Sequence, residues 1–171
     1  MVAADVADHE IVSLGFRVIV GLVFAAHGWA KRFKGGGLKG TAGWFDSIGM
    51  RPGALHAQLA SGGEMLFGVM LALGLLTPFA AAGVVGIMVV AGWTVHRDKG
   101  FFIVGDGWEY TFMVAVMATA VAGFGAGEWS VDEALGLATD WDGLVGIGIA
   151  AVLGVVGGAA QLAVFYRPPA D

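Results

Sequence analysis

Residues 144–166, LVGIGIAAVLGVVGGAAQLAVFY, decide the fold class. Over that whole length the only ionisable group is Tyr166, at the very end. A helix that is apolar on every face has no side to turn to water, so lipid must surround it. About 20 such residues, rising 1.5 Å each, cross a hydrocarbon core of about 30 Å. The segment reads as a transmembrane helix.

Four further apolar segments precede it. Ile11 to Ala30 is interrupted only by Ser13, Arg17 and His27, and Ala57 to Leu76 by Gln58, Ser61 and Glu64. Thr77-Pro78 makes a tight turn, with proline suited to open the next helix. Phe79 to Val95 and the shorter Tyr110 to Ala126 follow. The composition agrees: 57% of the 171 residues are hydrophobic and 13% are charged, against about 25% charged in soluble domains. The 30 glycines suit close packing between membrane helices. The expected fold is an all-α membrane protein with five spans. Its divisions are an N-terminal segment 1–10, a four-span core 11–126, an acidic loop 127–143, a fifth span 144–166 and a tail 167–171.

The charges are sorted. Lys31, Arg32, Lys34, Lys39 and Arg51 lie between spans one and two, Arg97 and Lys99 between spans three and four, and Arg167 after span five. With five spans all of them fall on one side. The other side holds Asp5, Asp8, Glu10, Glu128, Asp132, Glu133, Asp140 and Asp142. The positive-inside rule then puts the N-terminus outside and the C-terminus in the cytoplasm. In the first basic loop, Thr41, Trp44, Phe45 and Ile48 share one face of a short interfacial helix after the hinge Gly35-Gly36-Gly37. That glycine run lacks the Gly-Lys-Ser/Thr ending and the preceding strand of a phosphate loop. On the acidic side, Ser130 and Glu133 form a capping box for a small helix through Leu137, and Trp129 and Trp141 fit the interfacial aromatic belt. The spacing Ala150-xxx-Gly154-xxx-Gly158 is a packing face, for this bundle or for another subunit, which leaves a homo-oligomer open.

Several function classes fall away. The sequence has no cysteine, which removes disulfides, thiol redox chemistry and thiolate metal sites. No basic run is interleaved with aromatics, so nucleic acid is not a partner. No short-spaced ligand motif points to a metal. Two histidines on separate spans, His27 and His96, are all that speaks for haem, and nothing else in the sequence supports it.

Ionisable groups inside a span face other helices or a cavity. Arg17 and Glu64 are at depths that long side chains can bridge, and a structural ion pair between them is expected. His27, His96, Glu109 and Tyr110 fall near the basic boundary on three spans, with Lys31 one turn beyond His27 and Glu64 on the second span. These residues form the candidate polar pocket: His27, Lys31, Glu64, His96, Glu109 and Tyr110. Such groups can hydrogen-bond quinone carbonyls and relay protons.

The same residues carry a resemblance. Arg17, Ala26-His27-Gly28 with Lys31 and Phe33, Gly35-Gly36-Gly37, Phe45 with Gly49, Glu64 with Gly68, and Leu73-Gly74-Leu75-Leu76-Thr77 recur in order. His96 with Gly100-Phe101-Phe102, Glu109-Tyr110 and Trp129-Ser130-Val131-Asp132 follow. Over about residues 16–135 the chain resembles the DoxX family of small bacterial membrane proteins, related to the DoxD subunit of thiosulfate:quinone oxidoreductase. The resemblance implies a DoxX-like four-helix transmembrane bundle, to which the segment from Leu144 is an added fifth helix. It implies a bacterial plasma-membrane location and a subunit of a redox or respiratory assembly contacting quinone. The implied partners are lipid and other redox proteins, such as a superoxide dismutase, a sulfurtransferase or a respiratory complex. The chain would not be an enzyme on its own, and if enzymatic it would be a subunit of a quinone-linked oxidoreductase. A small-solute or proton-coupled transporter and a structural accessory subunit remain the alternatives.

Overall fold

The computed structural model describes residues 2–137 and 141–168, with side chains from His9 onward. The expected acidic residue Asp140, the side chains of Asp5 and Asp8, and the tail beyond residue 168 lie outside the described parts.

The described chain is all helical, joined by turns and a single isolated bridge, Met50 to Tyr166. α1 runs Val2–Phe33, α2 Gly37–Ser47, α3 Gly53–Leu73, α4 Thr77–Ala91, α5 Glu109–Phe124, α6 Val131–Ala134, α7 Gly143–Gly148 and α8 Gly154–Phe165. A π-helical turn, Gly92–His96, prolongs α4, and another, Ile149–Leu153, joins α7 to α8 in one rod. Three rods are long and apolar enough to cross a membrane by themselves: His9–Phe33, Thr77–Lys99 and Gly143–Phe165. α3 has the length, at 21 residues, but Gln58, Ser61 and Glu64 dilute its hydropathy. α5 is apolar but has only 16 residues. Both complete their spans as members of the bundle rather than alone.

α4 is the central rod. It packs on α3, α5 and α8, and 44% of its span is buried, against 28% for α1 and 22% for the last rod. Ala80, Ala81, Val84, Val85 and Met88 form its core face. Against it pack Gly154 and Gly158 of α8 and Ala150 of the π turn, so the small-residue face expected on the fifth span serves a contact within the bundle. α1 and α3 lie antiparallel and very close: a Cβ at Gly28 would stand 2.5 Å from the Ser61 carbonyl oxygen.

Some boundaries differ from the sequence expectation. α3 begins four residues earlier than Ala57 and stops at Leu73, because Gly74 takes a left-handed conformation (φ 65°) that ends the helix. The small helix after Ser130 ends at Ala134 rather than Leu137, since Gly136 turns the chain at φ 70°. Its cap is present, with Ser130 Oγ accepting from the Glu133 N–H at 3.1 Å.

Candidate functional site

The helix order puts the ends of α1, α4 and α8 and the starts of α3 and α5 at one end of the bundle. This basic end carries the Lys and Arg loops, and the opposite, acidic end carries residues 125–137. The two ends are built differently.

At the acidic end, Arg17 is fully buried. Its guanidinium donates to the carbonyl oxygens of Ala72 and Trp129. Asp132 accepts from the N–H groups of Leu76 (2.7 Å) and Thr77 (2.9 Å) and from the Thr77 hydroxyl (2.8 Å), which closes the start of α4. Glu10 accepts from the Glu128 N–H at 2.7 Å.

The expected Arg17–Glu64 ion pair is therefore not formed. The antiparallel register sets Arg17 level with Ala72, about eight residues along α3 from Glu64, or roughly 12 Å of helix rise. Carbonyls at the end of α3 and in the 129 turn are within reach of Arg17, and Glu64 is not. Glu64 instead receives Lys31 Nζ, 2.7 Å from each of its carboxylate oxygens. Lys31 lies one turn past Gly28, whose Cβ-less surface touches Glu64 itself. The lysine stem folds back along α1 to neutralise a carboxylate that is only 4% exposed.

Beside this pair is a cavity of about 400 Å³. Of the expected pocket residues, His27, Lys31, Glu64, His96 and Tyr110 line it, and Glu109 does not. Glu109 opens α5, and its carboxylate turns back to accept the Ile103 N–H at 2.8 Å, capping the loop instead of facing the cavity. His27 and Tyr110 bring their rings within 5.6 Å of each other across α1 and α5. His96 reaches the cavity because the π turn, Gly92–His96, inserts an extra residue at the end of α4; such bulges re-aim side chains and recur at functional sites. Its Nδ1 donates to the Asp106 carbonyl oxygen at 2.6 Å, which leaves Nε2 unprotonated in the neutral ring.

Two members were not expected. His56 is 1% exposed, and its Nδ1 meets the Gln161 amide nitrogen at 3.1 Å. Both residues line the cavity. The signals existed in the sequence. Gln161 is an isolated polar side chain in an otherwise apolar span, and such groups face the interior. His56 precedes Glu64 by two helical turns and lies one residue ahead of Ala57, where the apolar pattern starts the helix. Trp44 and Phe45 of the interfacial helix also line the cavity, and most of the remaining wall is aliphatic or aromatic. Among the described residues, no three His, Asp or Glu side chains cluster as a metal-ligand set. The arrangement can receive an apolar molecule, present hydrogen-bond donors to it, and exchange protons through imidazole, carboxylate and phenol groups.

A curated protein of Haemophilus influenzae, described as an uncharacterized protein, is 28% identical over 81 residues, 47% of this chain and 54% of that protein. The chain thus spans about half the length of that relative. No solved structure matches. The DoxX family profile matches residues 12–97, from within α1 through the π turn that carries His96. On that match over half of its length, the chain belongs to the DoxX family.

Proposed function

We propose that this protein is a membrane subunit of a redox-linked assembly and that its basic-end cavity takes a quinone from the bilayer. One observation carries the reading: a cavity of about 400 Å³ with largely apolar walls, lined by a buried carboxylate–ammonium pair, three imidazoles and a phenol. A quinone needs apolar surface for its ring and tail, donors for its carbonyls, and nearby groups that trade protons near neutral pH. Leu59, 48% exposed, is among the lining residues, so the cavity reaches a face that lipid would cover. Any thiol or persulfide chemistry would lie on a partner protein, since this sequence has no cysteine.

The sorting of basic residues supports a bacterial plasma-membrane orientation with the basic end in the cytoplasm. A reporter fused after Arg167 should then read cytoplasmic, and an external reading would overturn that orientation. The ligand reading is tested by titrating decylubiquinone into the protein in lipid nanodiscs. Saturable binding weakened by Glu64→Gln is expected. Absence of saturable binding would reject the quinone.

The acidic-end clamp bears on the transporter alternative. The Arg17 and Asp132 bonds tie α1, α3, α4 and the 129–132 turn together at the acidic end, which favours a one-sided binding site.

A further inference from the structure

His56 has a buried nitrogen with no partner. Its Nδ1 meets the Gln161 amide, and its Nε2 is shut off from solvent without a hydrogen bond. The Arg51 carbonyl is the competing backbone acceptor for the ring proton. The ring is held by Phe165, edge-on at 5.0 Å, and by Phe45 at 6.0 Å. A buried imidazole N–H left unpaired is unfavourable, and groups of this kind are nearly always satisfied by something. Here the candidate is whatever fills the cavity that His56 lines.

The tautomer follows from the partner. The Gln161 amide nitrogen is a donor only, so Nδ1 must accept and the ring proton must sit on Nε2. We infer that His56 Nε2–H holds a neutral carbonyl-type oxygen of the cavity's ligand, and that Gln161, from the fifth helix, is the positioning residue that fixes the proton there. This rests on the reading of the cavity as a ligand site, but not on the ligand being a quinone. A neutral acceptor fits because the cavity's ammonium is already matched by Glu64, so an added anion would find no unmatched cation on that pair. His56, Ala60 and Glu64 succeed one another along α3 over roughly 12 Å. The ligand lies along that helix with its acceptor at the His56 end. The fifth helix, beyond the region that matches the family profile, thereby completes the site.

The test uses the full chain in lipid nanodiscs with three probes: decyl phenyl ketone, decylbenzene and decylubiquinone. The ketone should bind more tightly than decylbenzene. His56→Phe should weaken the ketone about tenfold and leave decylbenzene unchanged, as expected for one lost buried hydrogen bond. Gln161→Leu should weaken it by about threefold, because the proton is then shared between the two nitrogens. Imidazole ¹⁵N spectra of the unliganded protein, which do not depend on a His56 variant folding, should show Nδ1 bare and Nε2 protonated, and a mixture in Gln161→Leu. Equal affinity for ketone and decylbenzene, or variants that move both alike, overturns the inference and leaves Nε2 to the Arg51 carbonyl. A protonated Nδ1 overturns it as well. The ketone pattern without decylubiquinone binding sinks the quinone and keeps His56. Decylubiquinone binding that is equal in the wild type and His56→Phe keeps the quinone and sinks His56. If no probe binds, both fail.

Discussion

The two ends of this bundle handle buried polar groups in opposite ways. At the acidic end, Arg17, Asp132 and Glu10 each bond to backbone groups of a neighbouring element. The Arg17 guanidinium ties α1 to the end of α3 and to the turn at Trp129. Gly74 allows this, since a Cβ there would stand 3.0 Å from the guanidinium. At the basic end, Glu64, His27, Tyr110 and His56 line a cavity. A charge inside a membrane bundle is unfavourable unless it is matched. One end matches its charge to fixed backbone and so gains shape. The other matches Glu64 to a single side chain, Lys31, at the wall of a cavity. The difference teaches that an intramembrane ionisable residue by itself does not mark a site; the partners it takes decide its role.

That contrast can be broken by mutation. The largest effect is expected at Arg17. Arg17→Ala strands two carbonyls and empties a fully buried position, so unfolding in nanodiscs should become easier by about 3 kcal/mol. Ligand affinity per folded molecule should not change. A variant as stable as the wild type would show that the acidic end is not a clamp.

Next comes the ion pair at the cavity. Lys31→Met leaves the Glu64 carboxylate buried without a partner and should destabilise by about 2 kcal/mol. Lys31→Met combined with Glu64→Gln should recover most of that loss, because neither charge remains. Additive losses in the double variant would mean that the two residues act independently, contrary to the 2.7 Å contact.

Asp132→Asn should lie lower still, at about 1 to 2 kcal/mol, since the amide keeps one acceptor but loses the charge that faces the first N–H groups of α4. A loss as large as that of Arg17→Ala would shift the centre of the clamp to Asp132.

The smallest effect sharpens the picture of the acidic end. Asp142, outside the spans, has its carboxyl held above the usual carboxylate range, first by desolvation and then by Asp132 and Glu10. The folded form thus binds a proton more readily than the unfolded chain does. Ionising Asp142 works against folding, so stability should decline slightly as pH rises from the normal aspartate range through the raised value. Asp142→Asn should remove that part of the slope in thermal unfolding measured between pH 4 and 7. An unchanged slope would place the repulsion elsewhere.

Much of this was legible in the amino-acid pattern, for local reasons. A helix apolar on all sides can lie only in lipid, so residues 144–166 settle the class without any neighbour. The pattern Gly28, Lys31 and Glu64 already held the materials of the cavity, and five of the six expected pocket residues line it. Glu109 does not, because the loop 97–108 folds back and offers the Ile103 N–H, a feature that side-chain type alone does not encode.

By itself, the sequence determined that the chain is an all-helical membrane protein, that its charges are sorted between two ends, and that titratable groups gather near the basic one. These follow from hydrophobicity and helical rise, which are properties of each segment alone. The tertiary structure decided the partners: Lys31 rather than Arg17 for Glu64, backbone carbonyls for Arg17, and Gln161 for His56. Partnership depends on the register between helices, and close glycine contacts such as Gly28 against Ser61 set that register. A shift of two turns along α3 moves a residue by about 11 Å, beyond any hydrogen bond, so depth counted from the ends of apolar runs could not choose between Arg17 and Lys31.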